Sequence, residues 1–153
     1  MEDVLTFLIR FALVALFFPL SALDKIADFD GAEEQAMTIG VPRWEGAAMI
    51  AAALIIELSM SLCVLTGIFD RGAGLILAAY CVATAFLYKQ FWATGDFALN
   101  GPSKGRELFW DFWKNIAVGA GFLLVTFGTT APAVRTAIDA LLANPFASTN
   151  PYG

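Results

Sequence analysis

The side chains able to do chemistry in this chain sit where hydrocarbon is expected. Arg10, Lys25, Glu57, Asp111 and Lys114, with the amide Asn115, fall within or at the ends of strongly apolar stretches. Glu57 is the most telling, because it lies at the centre of an otherwise uncharged run over residues 46–69. A helix of about 20 residues crosses the hydrocarbon core of a bilayer. An acid at its midpoint costs about 3 kcal/mol on insertion scales, so it faces a partner or a polar cavity rather than lipid.

Comparing depths suggests which of these groups meet. Arg10 lies about six residues, or about 9 Å, into the first apolar stretch, and Glu57 lies about 15 Å in from Gly67 on the same side. An arginine side chain covers that difference, so an Arg10–Glu57 ion pair is expected. Lys114 enters from the opposite side to about 9 Å and shares a helix face with Asp111. Tyr80, Tyr88 and Trp113 add hydrogen bonds and aromatic walls for a flat ring. A quinone head group needs such a setting: donors to two carbonyls, an apolar slot for the tail and a proton source. The same residues also suit a buried ion pair that only locks the helices together.

Other chemistries find no footing. There is no histidine, and Cys63 and Cys81 are single residues in different apolar stretches rather than a CxxC pair. A bis-His haem, most zinc, copper or non-haem iron sites and a redox dithiol therefore lack ligands, and no haem or metal bound by this chain alone is expected. Gly101-Pro102-Ser103-Lys104-Gly105 looks like a phosphate loop but lacks the Walker spacing and the preceding strand. A formal net charge of −5 and the absence of any basic run exclude nucleic acid as a partner.

The elements that must position these groups are helices in a membrane. Apolar residues make up 59% of the chain and charged residues 15%, against about 25% charged in a soluble domain. Four apolar spans are readable, at about residues 4–23, 46–67, 72–91 and 108–128. None alternates with period two, and backbone satisfaction in lipid then requires helices. The fold expected is an all-α integral membrane four-helix bundle, with spans two and three forming an antiparallel hairpin. Gly72, Gly74 and the Gly119-Ala120-Gly121 run would let helix backbones approach closely. Trp44, Trp92, Trp110 and Trp113 fall at span ends on the side of the two long loops, as an interfacial belt predicts. The acidic start of the chain and Arg10 argue against a signal peptide, so the first span is read as retained.

Outside the spans, residues 24–43 carry Ile26, Phe29, Ala36 and Met37 at roughly helical spacing, with acidic residues between them. That pattern suits a short amphipathic helix at the interface, whose acidic face is either simply solvated or attracts a basic partner. Residues 1–128 are read as the four-span domain. Residues 129–153 are read as a C-terminal interfacial helix, with Arg135 and Asp139 at i and i+4, followed by an extended tail held down by a contact such as a neighbouring subunit.

Several short motifs then occur in order. They are Leu8-Ile9-Arg10, Ser21-Ala22-Leu23-Asp24-Lys25, Gly40-Val41-Pro42, Ile56-Glu57-Leu58, Leu65-Thr66-Gly67 with Arg71, and Phe112-Trp113-Lys114-Asn115. As an ordered set on four spans, the chain resembles the DoxX/DoxD-like family of small bacterial membrane proteins. The resemblance implies a multi-pass protein of the bacterial inner membrane. It also implies a link to quinone-dependent oxidoreductases, thiosulfate oxidation among them, and to redox-stress complexes. Carried over residue by residue, Arg10, Lys25, Glu57, Lys114 and Asn115 would line the polar centre.

The reading that follows is a membrane subunit of a quinone-linked oxidoreductase or respiratory-type complex, with a quinone as the candidate cofactor and no metal of its own. Its enzyme status goes no further than a non-metal subunit. A non-catalytic assembly subunit is the alternative, contacting other proteins through the acidic loop 24–43 and the C-terminal tail. A small-solute carrier ranks last, because no internal repeat is apparent.

Overall fold

Long apolar runs with good helix formers and few internal breakers become four long helices. The computed structural model describes residues 1–153 and contains no strand. The helices are α1 (Glu2–Val14), α2 (Ala22–Ala27), α3 (Phe29–Met37), α4 (Arg43–Thr66), α5 (Asp70–Tyr88), α6 (Lys104–Phe127) and α7 (Ala131–Ala143). Four helical segments are long and apolar enough to cross a membrane: Glu2–Ala27, Arg43–Thr66, Asp70–Ala93 and Lys104–Phe127. A helix of 24 residues is about 36 Å long, comfortably more than a hydrocarbon core of about 30 Å.

The first of these is not straight. Between α1 and α2 the chain widens into a π-helical stretch, Leu16–Ser21, and Phe18 leaves helical geometry altogether (φ −121°, ψ 113°). Pro19 is the cause, since it has no N–H to donate and disfavours helical backbone in the residue before it. The span continues past this kink as α2 and so carries residues 21–25 in a new direction.

Residues 24–43 are not one continuous helix: the first of them finish α2, and α3 follows. The chain breaks at Asp28, whose carboxylate caps α3 by accepting from the Gly31 N–H at 3.0 Å. The break takes Ile26 and Phe29 off the expected apolar face and leaves them exposed, while Ala36 and Glu33 are buried against α4. Glu33 accepts from Arg43 Nε at 2.9 Å, tying α3 to the start of α4.

The α4–α5 hairpin turns through Gly67, which ends α4 at φ +79°, a conformation glycine adopts without penalty. α5 lies closest to α6, and α1 closes the ring by touching both α4 and α6. Gly74 permits the α5–α6 approach: a Cβ there would sit 2.6 Å from Thr126 Oγ1 and 2.9 Å from the Phe122 carbonyl oxygen. The core between the four helices is Val14, Phe17, Val64, Leu65, Ala73, Leu77, Ala78, Cys81 and Phe122. Residues such as Ile55 and Leu124 face outward, as lipid-facing positions should.

At the long-loop end, Phe91, Trp92, Phe97, Phe109 and Phe112 pack ring against ring. All four tryptophans are exposed at this end. At the hairpin end, α7 packs on α6, and Arg135 and Asp139 form no ion pair. The tail after α7 is held by its own chain. Ser148 Oγ donates to the Gly67 carbonyl, Tyr152 OH donates to the Leu65 carbonyl, and the Phe146 ring packs on Phe69.

Candidate ligand site within the bundle

Glu57 sits near the middle of α4 and is 1% exposed. Three donors converge on one of its two oxygens. Lys25 Nζ reaches Oε1 at 2.8 Å, Ser21 Oγ at 3.2 Å and Tyr80 OH at 2.6 Å. Lys25 also donates to Ser21 Oγ, one turn earlier on the redirected segment. The other oxygen, Oε2, is buried and has no partner, and the same is true of Ser61 Oγ one turn further along α4. A buried carboxylate with an unused oxygen carries a real free-energy penalty, so it marks a place where a hydrogen-bond donor belongs.

That carboxylate lines a cavity of about 600 Å³. Thirteen of its 22 lining residues are hydrophobic, among them Phe17, Ile50, Ala53 and Ile56. Lys89, Asp111, Lys114 and Asn115 also line it, with Ala32 and Gln35 contributed by α3. The volume falls within the range of small-molecule sites, and the mixture of apolar walls with a few convergent polar groups is their usual make-up.

The expected residues separate into three places. Lys25, Glu57 and Tyr80 form the buried centre described above. Asp111, Lys114 and Asn115 make a second group on α6: Lys114 Nζ donates to Asp111 Oδ1 at 3.1 Å, Lys89 approaches Asp111 at 3.8 Å, and Asn115 Nδ2 donates back to the Asp111 carbonyl at 3.2 Å. None of this group bonds to Glu57, and the Lys114 side chain is 72% exposed. Tyr88 lines the cavity, whereas Trp113 packs on Phe109 and Phe112 and is not among the lining residues.

Arg10 does not pair with Glu57. Its NH1 donates to Asp70 Oδ2 at 2.8 Å and to the Val64 carbonyl at 2.6 Å, and NH2 donates to Thr149 Oγ1 at 2.8 Å. Val64 lies about 10 Å further along α4 than Glu57, so Arg10 belongs to the hairpin end. Asp70, fully buried, accepts in turn from the Thr149 N–H at 2.9 Å and from its hydroxyl. Sequence reasoning misses Asp70 because it stands at the junction of two apolar spans, where a charge is expected at the membrane surface, and misses Thr149 because the tail has no periodicity. Ser21 carried a weak signal, as a small polar residue one turn before Lys25.

No three Asp, Glu or Cys side chains come together in a metal-ligand arrangement. Cys81 is packed in the core and Cys63 is half-buried, with no disulfide between them.

The helices that supply Ser21, Lys25, Glu57 and Tyr80 lie within residues 5–90, the segment matched by the DoxX family model. The chain belongs to the DoxX family. Among its DoxX-type relatives is the Escherichia coli K12 inner membrane protein YphA, 29% identical over 124 residues, covering 81% of this chain and 82% of YphA. A second, the E. coli K12 inner membrane protein YqjF, is 28% identical over 142 residues, covering 93% of this chain and 95% of YqjF. No solved structure matches. With four membrane-length apolar helices and relatives in the inner membrane, this DoxX protein is a multi-pass inner membrane protein. The DoxX match includes Arg10 and Asp70 but stops short of Asp111, Lys114, Asn115 and Thr149.

Proposed function

We propose that this DoxX protein is a membrane subunit of a quinone-linked oxidoreductase or respiratory-type complex, and that its cavity holds a quinone head group against Glu57. The observation that carries this reading is the asymmetry of the Glu57 carboxylate: Oε1 is saturated by three donors while Oε2, buried beside an apolar cavity, has none. The residues fit the group. Lys25 Nζ has a third N–H beyond those given to Glu57 and Ser21, a donor suited to a ring carbonyl; Glu57 Oε2 is an acceptor suited to a ring hydroxyl, and Phe17, Ile50 and Ile56 offer apolar walls.

When bound, a quinone supplies reversible uptake of two electrons and two protons. The chain's own part is to bind, orient and manage protons. Lys25 fixes the Glu57 carboxylate in one orientation, because its ammonium holds Oε1 from α2 while Tyr80 holds it from α5. Glu57 Oε2 is the atom at which a proton would be taken up or released. The apolar lining keeps bulk water away from that atom. Lys89, Asp111 and Lys114 place charge along the same cavity.

The test is quinone content. Full-length protein extracted gently from its native membrane retains a lipid-soluble quinone, detected by mass spectrometry, and Glu57→Gln lowers that content at least tenfold while the protein remains monodisperse. Absence of quinone from the wild-type preparation overturns the reading. A second reading, a non-catalytic assembly subunit, draws on the Lys25–Glu57 ion pair at 2.8 Å, which ties α2 to α4. It assigns partner contacts to the acidic residues of α3 and to the tail. It predicts a set of co-purifying subunits that Glu57→Gln leaves unchanged and that removal of residues 144–153 disperses.

A further inference from the structure

A second cavity, of about 310 Å³, lies at the hairpin end and is independent of the Glu57 site. It is lined by Arg71, Leu124, Phe127, Ala133, Thr136 and Thr149, among others. Arg71 is the only charged side chain lining it. No carboxylate pairs with this guanidinium: the ion pairs of the chain involve Arg10, Lys25, Arg43, Lys89 and Lys114. The adjacent carboxylate, Asp70, is already engaged by Arg10 and Thr149.

Arg71 is nevertheless held firmly. Its NH1 donates to the Thr126 carbonyl at 2.5 Å, and Thr126 Oγ1 donates back to the Arg71 carbonyl at 2.8 Å. Its Nε is buried and unpartnered. A guanidinium anchored by one arm, with a second N–H buried and no counter-charge, is short of an anionic acceptor. Arginine's planar fork matches phosphate oxygens in particular.

Depth indicates where that phosphate comes from. Arg71 lies nine residues before Tyr80 on α5, about 14 Å from the level of Glu57, which is the edge of a hydrocarbon core about 30 Å thick. The cavity wall continues onto Leu124, which is 54% exposed on the outer face of α6. Phosphate chemistry on one side and a lipid-facing apolar wall on the other belong to a single kind of molecule.

We propose that this cavity is a binding site for the head-group phosphate of an anionic phospholipid. Arg71 holds the phosphate, Thr136 and Thr149 form part of the pocket wall with their hydroxyl protons given to the Pro132 carbonyl and to Asp70, and an acyl chain runs along Leu124.

The experiment uses full-length protein, delipidated in neutral detergent and examined by native mass spectrometry with added phosphatidylglycerol, diacylglycerol or inorganic phosphate. One phosphatidylglycerol should be retained at least tenfold more tightly than diacylglycerol, which lacks the phosphate. Arg71→Gln should abolish that preference, and Arg71→Lys, which keeps the charge but not the fork, should restore only part of it. Thr136→Glu, which sets a negative charge in the pocket wall at an exposed position, should weaken retention several-fold without lowering the melting temperature measured without lipid, which separates loss of the site from loss of the fold. Equal retention of phosphatidylglycerol and diacylglycerol, or unaltered retention by Arg71→Gln, overturns the site. Displacement of phosphatidylglycerol by millimolar inorganic phosphate overturns the lipid assignment.

Discussion

Lys25 Nζ lies 2.8 Å from Glu57 Oε1 across 32 residues of sequence, on a segment that the kink at Phe18 and Pro19 has turned from the axis of α1. The acid at mid-membrane is thus neutralised by a lysine from beyond the kink rather than by the arginine within the first helix.

Removing one partner of such a pair leaves a buried charge uncompensated. Lys25→Met should therefore destabilise the bundle by about 3 kcal/mol, read as an unfolding midpoint in mixed micelles. The double variant with Glu57→Gln should recover most of the loss. Additive losses in the double variant would show that the two side chains do not act as a pair.

Tyr80→Phe deletes the 2.6 Å hydrogen bond to Glu57 Oε1, a change of about 0.5–1.5 kcal/mol. The same variant should reduce quinone retention less than Glu57→Gln does, because Oε2 is untouched. Equal effects of the two variants on retention would contradict the division of labour between the carboxylate oxygens.

At the hairpin end, Thr149→Val removes both the donor to Asp70 and the acceptor for Arg10. A cost of about 1–3 kcal/mol is expected, together with faster proteolytic trimming of residues 144–153. Unchanged trimming would mean that the contacts of Phe146, Ser148 and Tyr152 suffice to retain the tail.

Gly74→Leu forces a side chain into the Thr126 hydroxyl and the Phe122 backbone. Overpacking of this kind costs about 1–3 kcal/mol or more. The matching change at Gly95, where φ is +73° and an added Cβ meets nothing within 4 Å, strains its own loop but should leave the α5–α6 contact in place. Equal loss of that contact in the two variants, measured by cross-linking between α5 and α6, would refute close approach at Gly74.

Asp96 gives a pH dependence outside the membrane. Its carboxyl is held below the usual carboxylate range by the Thr94 side chain, and further by the N–H groups of Gly105 and Lys104, each at 3.0 Å. A depressed folded pKa contributes stability that is complete at neutral pH. That stability is lost as pH falls from the unfolded value of about 3.9 through the lower folded value. Asp96→Asn should therefore lower the melting temperature at pH 7, with the gap to wild type narrowing as pH falls below about 3.9. A gap that persists unchanged at low pH would rule out this linkage.

The four spans were legible because hydropathy and length alone specify them, and Glu57 was legible because an acid in such a run is conspicuous. Its partner was not. Depth along a helix can be counted from sequence, but the direction a side chain faces around the axis cannot, and Arg10 turns toward Asp70. The proline that redirects Lys25 was visible, yet its effect on the path of α2 depends on packing. Lys114 and Asn115 have the right types for a site, but they line the cavity without reaching Glu57. Asp70 gave no signal because it stands at a span end, and Thr149 because the tail has no periodicity; only tertiary structure joins them.

The Thr149 contacts with Asp70 also set a clock on biogenesis. Thr149 follows Asp70 by 79 residues, so at about 5–20 residues per second the ribosome delivers it about 4–16 s later. Throughout that interval the nascent hairpin carries Arg10 and Asp70 without the hydroxyl that completes them. The insertion machinery or surrounding lipid must shelter this half-finished corner, and the last apolar helix is already made before the corner can close.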